Sequence, residues 1–317
     1  MTKWIALLAA PFALACATPP PPSQLPNAQA AIDRMRASSS CGNAIQVDGK
    51  LDYFASESGR TRLSVLFLAA RPASLRMDAL APLVGTVFTL STDGKQFQVS
   101  DQRNHRFIYG AATQENIARV THIQMPIHPL VTMLMGRAPV LKHDEAGLPP
   151  PTIAWDGGGY YVVKIPGNHK ALEEIHLAPT PDDFKKPWGE QRFRVLDVSV
   201  SQENIQLYHV ELEDHDATPM FGTGPNSAPA CDEVCKALGQ QPTQPSGPTC
   251  TADLPRGIHV DIPPFSTDVL FRYDKVVWNP PIDAGTFTQQ QPAGLTPVPL
   301  GGMLGTASLR RPFHEIR

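Results

Sequence analysis

The sequence predicts a mainly β protein of the α+β class: one antiparallel sheet too long to lie flat, which curls and has its apolar face covered by short helices. Three observations predict it. Apolar and polar residues alternate in many short runs, the period of half-buried strands. The runs come as strands, then two short helices, then strands again. Of 317 residues only 18% are charged and 33 are proline, which excludes a charged coiled coil or a long helical bundle. The length suits one large β domain or two average ones, since domains run at about 100–200 residues.

Each element follows from its pattern. Over residues 27–36, Ala28, Ala31, Ile32 and Met35 recur at helical spacing, and Ser38, Ser39 and Ser40 end the run. Ile45, Val47, Leu51 and Tyr53 then mark a first strand; Leu63, Val65 and Phe67 a second; Leu75 and Met77 a third. Phe88 and Leu90 lead through an Asp93-Gly94 turn to Phe97 and Val99, a hairpin followed by a strand at 106–109. Thr113 is a good N-cap with Glu115 in the first turn of a helix carrying Ile117 and Val120. A second short helix has Pro129 in its first turn, Leu130 and Leu134 on one face, and Gly136 just past its end. Strands resume at 160–165, 193–200 and 205–212, and a last pair covers 258–262 and 269–278. Residues 214–254 read as a long Pro, Gly, Thr and Gln-rich insertion, and residues 289–317 as a loose Pro/Gly-rich tail.

The N-terminus reads as an export signal. Its apolar run over residues 4–15 is too short for a bilayer, which needs about 20 residues, but well sized for a signal-peptide core. It ends in Phe12-Ala13-Leu14-Ala15-Cys16, which resembles a bacterial lipobox; Ala13-Leu14-Ala15 would also suit ordinary signal cleavage. The lipobox reading makes 1–15 the signal peptide and Cys16 the acylated N-terminal residue, with 16–26 a stiff Pro-rich spacer holding the domain off the membrane. Ala17, rather than Asp, follows Cys16, so the resemblance points to the outer membrane, with the domain facing the periplasm. Cys41, Cys231, Cys235 and Cys250 remain as disulfide candidates in an oxidising compartment; four thiols allow three pairings.

The middle of the chain carries a family likeness. Met77-Asp78-Ala79-Leu80-Ala81-Pro82-Leu83-Val84-Gly85, Phe88-Thr89-Leu90-Ser91-Thr92-Asp93-Gly94, Glu115-Asn116-Ile117-Ala118-Arg119-Val120 and Met125-Pro126-Ile127-His128-Pro129-Leu130, up to Gly136-Arg137, resemble the LolA/LolB superfamily, and LolB-like outer-membrane lipoproteins in particular. The likeness runs over 27–288 with 214–254 left out. It implies an unclosed half-barrel with a lid of short helices, lipid acyl chains or lipoproteins as partners, and a LolA-like periplasmic carrier upstream. It also implies a membrane-insertion loop with an exposed Leu, which falls here on Leu83, with Leu80 beside it. The insertion, its Cys residues and the Pro-rich tail depart from the family. They leave open the alternative of a structural envelope lipoprotein that uses the fold to bind a protein or the cell wall.

Other function classes find little support. A formal net charge of -3 leaves no footprint for nucleic acid. No nucleophile-elbow, zinc-hydrolase or phosphate-loop motif occurs, so no enzyme, cofactor or metal is expected. The ten His residues are scattered, and His122 with His128, like His209 with His215, are spaced off a common helix face. Gly157-Gly158-Gly159 reads as a hairpin turn, and Glu173-Glu174 as a solvated face. Phe54, Phe67, Phe88, Phe97, Phe107, Phe193 and Phe271 sit on alternating faces, either as packed core or as the lining of a lipid cavity.

Overall fold

The computed structural model describes residues 17–40, 42–55, 59–121, 123, 125–218 and 253–301. Helix α1 (Ala28–Ser38) is followed by β1 (Ala44–Ala55), β2 (Gly59–Ala70), β3 (Ser74–Ala81), β4 (Gly85–Thr92), β5 (Gln96–Asp101) and β6 (Arg106–Ala111). Next come α2 (Gln114–Thr121) and α3 (Ile127–Leu134), then β7 (Thr152–Asp156), β8 (Tyr160–Gly167), β9 (Ala171–Pro179), β10 (Phe193–Gln202) and β11 (Ile205–Glu213). The short β12 (Asp216–Ala217) and β13 (Asp253–Leu254) pair with each other at the base of the insertion, and β14 (Gly257–Ile262), β15 (Thr267–Trp278) and β16 (Thr296–Leu300) end the order.

Fourteen strands form one sheet in the order β16-β6-β5-β4-β3-β2-β1-β15-β14-β11-β10-β9-β8-β7. Neighbours are antiparallel except β16, which lies parallel to β6, and β7 and β16 remain as edges, so the sheet curls without closing. Strand twist forces that curl on so wide a sheet. A break in register between Asp48 and Gly49 bends β1 against β15. Glycine is needed there, because a Cβ on Gly49 would fall 2.2 Å from the Arg272 carbonyl oxygen.

The alternation of β2 places Leu63, Val65, Phe67 and Ala69 on the buried face, and Val47, Leu75, Leu90, Phe97, Val198, Val210, Val260 and Phe271 continue that face across the sheet. Six of the seven Phe residues named above are buried; Phe54 is not, being 43% exposed near the end of β1. Helix α1 lies over β7, β8 and β10, and α3 over β2 and β3. The Asn27 side chain accepts from the Ala30 N–H at 2.8 Å and so caps α1. Asn27→Ala should therefore cost about 1 kcal/mol in a denaturant titration.

Two expectations are corrected by the fold. The tail is not loose as far as Gly301: β16 is hydrogen-bonded along β6, and the Thr296 N–H donates to the His105 carbonyl at 2.8 Å. Pro297 and Pro299 are compatible with that because they stand on an edge strand, where a missing N–H leaves no ladder partner bereft. Ahead of it, Gln289 has its amide nitrogen within 2.7–3.2 Å of oxygens of Thr89, Ser91 and Gln98 and accepts from the Ser100 hydroxyl. The pair Glu173-Glu174 is not a solvated face either. Both belong to β9, where the period of two sends Glu174 outward and Glu173, between Ile165 of β8 and Val200 of β10, into the core.

Candidate functional site

The turn between β3 and β4 consists of Pro82, Leu83 and Val84, closed by the Val84 N–H donating to the Ala81 carbonyl at 3.3 Å. Leu83 has φ +65°. Proline at the second position and a left-handed residue at the third describe a β-turn that ordinarily takes Gly or Asn at the third. A leucine there costs roughly 1–2 kcal/mol, and burial does not offset it: Leu83 is 108% exposed and Val84 74%. Leu80 lies in β3 rather than in the turn and is half-buried, paired with Thr86 beside a register break.

On the concave face the helices cover an apolar surface that holds a few buried polar groups. Arg34 of α1 is fully buried and donates through Nε and one terminal nitrogen to the Gln191 carbonyl at 3.0 and 2.7 Å. Tyr273 donates its hydroxyl to the Leu134 carbonyl at 2.9 Å, satisfying the end of α3, and buried Arg137 donates to the Gly42 carbonyl at 3.0 Å. Glu173 is the acidic member of this set. Its Oε2 accepts from the Leu141 N–H at 2.8 Å, while Oε1 has no hydrogen-bond partner. Burial pushes its carboxyl up to about 8, against the opposing pull of that N–H and of the Arg36 charge. At neutral pH the concave face thus holds a neutral carboxylic acid, and the same burial raises the nearby Tyr208 phenol.

The segment between the proposed anchor and α1 is docked rather than standing off as a stalk, a third departure from the sequence expectation. The Thr18 N–H donates to the Gly157 carbonyl at 2.8 Å, and Trp155 Nε1 donates to the Thr18 carbonyl at 3.0 Å. Ser23 accepts from the Trp188 N–H and, through its carbonyl, from Gln191 Nε2; the Leu25 N–H donates to Tyr161 Oη. Pro21 and Leu25 are buried. A polyproline segment has no internal hydrogen bonds, so its carbonyls are free to bond to the domain beside it. Followed strand by strand, the antiparallel registers put the 157–159 turn and the 82–84 turn at opposite ends of the strands.

Cys16, Cys41, Cys231, Cys235 and Cys250 lie outside the described residues. No helix among the described residues is long and apolar enough to cross a membrane.

No protein-family model and no curated protein sequence matches this chain. Among the solved structures to which it is similar are three proteins. One is described as an outer membrane lipoprotein-sorting protein domain from Vibrio parahaemolyticus, with 6% identity and a TM-score of 0.45 over 82% of this chain and 95% of that one. Another is a DUF1329 family protein from Desulfovibrio piger, with 5% identity and a TM-score of 0.45 over 82% and 95%. The third is a LolA superfamily protein from Nitrosomonas europaea, to which this chain is similar at 10% identity and a TM-score of 0.40 over 84% of this chain and 99% of that one.

Proposed function

We propose that this chain is an outer-membrane lipoprotein, anchored through Cys16, whose half-barrel binds acyl chains and accepts lipoproteins from a LolA-like periplasmic carrier for insertion into the membrane. The observation that carries this reading is Leu83, a strained leucine turned wholly into water at the tip of a two-strand turn. An apolar side chain there can enter the headgroup boundary, where its burial contributes about 1.5–3 kcal/mol. The lipobox residues and the family likeness of 77–94 and 115–137 support it from the sequence. With Thr18 docked at the other end of the strands, Leu83 reaches the membrane when residues 17–26 lift away; in extended form they span about 31 Å at 3.1 Å per residue.

Two readouts test it. Wild type should incorporate labelled palmitate and Cys16→Ala should not; equal labelling would place the anchor elsewhere. The chain exported with a cleavable signal in place of residues 1–16 should carry co-purified lipid in native mass spectrometry. Lipid-free protein that also fails to take up lipid from vesicles would remove the acyl-binding half of the proposal and leave the structural envelope role.

A further inference from the structure

On the outer face of the sheet, far along the chain from the turn at Leu83, four consecutive strands bring imidazoles and carboxylates into one row. The cross-strand partners are His176 of β9 with Asp197 of β10, Asp197 with Glu211 of β11, and Glu211 with His259 of β14. His209 of β11 completes the group. Its Nε2 lies 2.5 Å from Asp197 Oδ2, and ligand atoms of Asp197, His209 and Glu211 all fall within 4.8 Å of one another. His176 Nδ1 stands 3.9 Å from the other Asp197 oxygen.

Three features make this more than a set of surface ion pairs. The register of β10 against β9 shifts between Val195 and Asp197, so Leu196 and Asp197 both leave the buried face, and the shift aims the carboxylate at the row. His176 is oriented from behind: its Nε2 meets Glu174 Oε1 at 2.9 Å, Lys164 holds Glu174 at 2.8 Å, and the Tyr160 ring stacks on the imidazole at 4.6 Å. That leaves Nδ1 facing Asp197, the carboxylate-backed arrangement by which proteins present a histidine to a metal. Asp197 and Glu211, finally, are like charges directly opposite on adjacent strands, a repulsion that a cation between them would relieve.

We propose that His176, Asp197, His209 and Glu211 form a binding site for a divalent transition metal of the zinc class. Mixed imidazole and carboxylate donors in a group of four suit a tetrahedral ion with bonds of about 2.0–2.2 Å, which sets its donors roughly 3.4 Å apart. The separations of 2.5 Å from His209 to Asp197 and 3.9 Å from His176 to Asp197 straddle that spacing. Glu174 is a positioning residue behind His176, and His259, 3.2 Å from Glu211 and also paired with Asp268, holds Glu211 from the far side. A bound ion would staple β9, β10 and β11 together on the face opposite the core.

Titration of the full chain with Co2+ and then Zn2+, followed by visible absorption and calorimetry, tests this. One equivalent of Co2+ should give a tetrahedral d–d spectrum without a thiolate charge-transfer band, be displaced by Zn2+, and persist when Cys41, Cys231, Cys235 and Cys250 are replaced by Ser. His209→Ala and His176→Ala should each weaken binding 100-fold or more, and Glu174→Gln about 10–100-fold, with metal-free melting unchanged. Should His209→Ala fail to fold, His176→Ala decides alone. No binding of either ion, a thiolate band, or affinity unchanged in folded His176→Ala overturns the proposal.

Discussion

Leu83→Asn should leave the protein as stable as wild type or more so, and Leu83→Glu should fold normally yet fail to hand a bound lipoprotein to liposomes. Both expectations follow from the same geometry. The Leu83 side chain is fully exposed, so its removal forfeits no packing. Its backbone sits at φ +65°, a region that Asn tolerates and that costs leucine roughly 1–2 kcal/mol. A core leucine behaves in the opposite way: Leu90, 2% exposed, should lose about 2–5 kcal/mol on truncation to Ala. Chemical denaturation of the three variants measures the contrast directly. In the transfer assay a carboxylate at the tip must be dehydrated to enter the headgroup boundary, which opposes insertion while leaving acyl binding on the concave face intact. A Leu83→Glu protein that transfers as wild type does would remove the turn from the mechanism, and one that melts many degrees lower would make Leu83 a packing residue.

Glu173→Gln should gain stability relative to wild type progressively as pH rises from about 4.5 to about 8. In the folded protein the carboxyl titrates near 8, raised from its ordinary 4.5 by burial. Between those values the folded chain keeps a proton that the unfolded chain has released. The contribution is therefore fully present below about 4.5 and lost as pH climbs to about 8, at roughly 1.4 kcal/mol per pH unit. Glutamine copies the shape of the neutral acid, still accepts from the Leu141 N–H, and does not titrate. The wild-type minus Glu173→Gln difference thus isolates this one group from every other carboxylate and histidine. Summed across the window it amounts to a few kcal/mol, on the order of half the stability of an ordinary domain. Urea midpoints at four or five pH values supply the measurement. A difference that stays flat with pH would mean that water reaches the Glu173 carboxyl in the folded protein.

The strands were legible because their information is local. A period of two, such as Leu63, Val65 and Phe67 against their polar neighbours, states which side chains face the core without reference to the rest of the chain. The Asp93-Gly94 hairpin was legible for the same reason, since Gly94 at φ +86° is a property of the turn itself. So were α2 and α3, marked by Thr113 ahead of one and Gly136 behind the other. The same rule read strictly would have placed Glu173 inside with Ile175 and Leu177. The ordinary preference of glutamate for water argued the other way, and here the alternation won.

What the sequence by itself determined is the mainly β class, most of the strands, the three helices and the apolar face they share. Tertiary structure alone decided how distant segments meet. The N-terminal spacer and the 289–301 strap read as loose because proline-rich segments have no internal pairing; they are ordered by hydrogen bonds to partners more than 100 residues away, as with Leu25 on Tyr161 and Gln289 on Ser91. The strain at Leu83 depends on the turn being closed by its two strands, which residue identity does not state. His176, His209 and His259 stand 33 and 50 residues apart (209 − 176 and 259 − 209), spacings without meaning until strand order and register set them in one row. Periodicity assigns each side chain a face, but which residues become neighbours on that face is fixed by pairing between strands, and that is a property of the folded sheet alone.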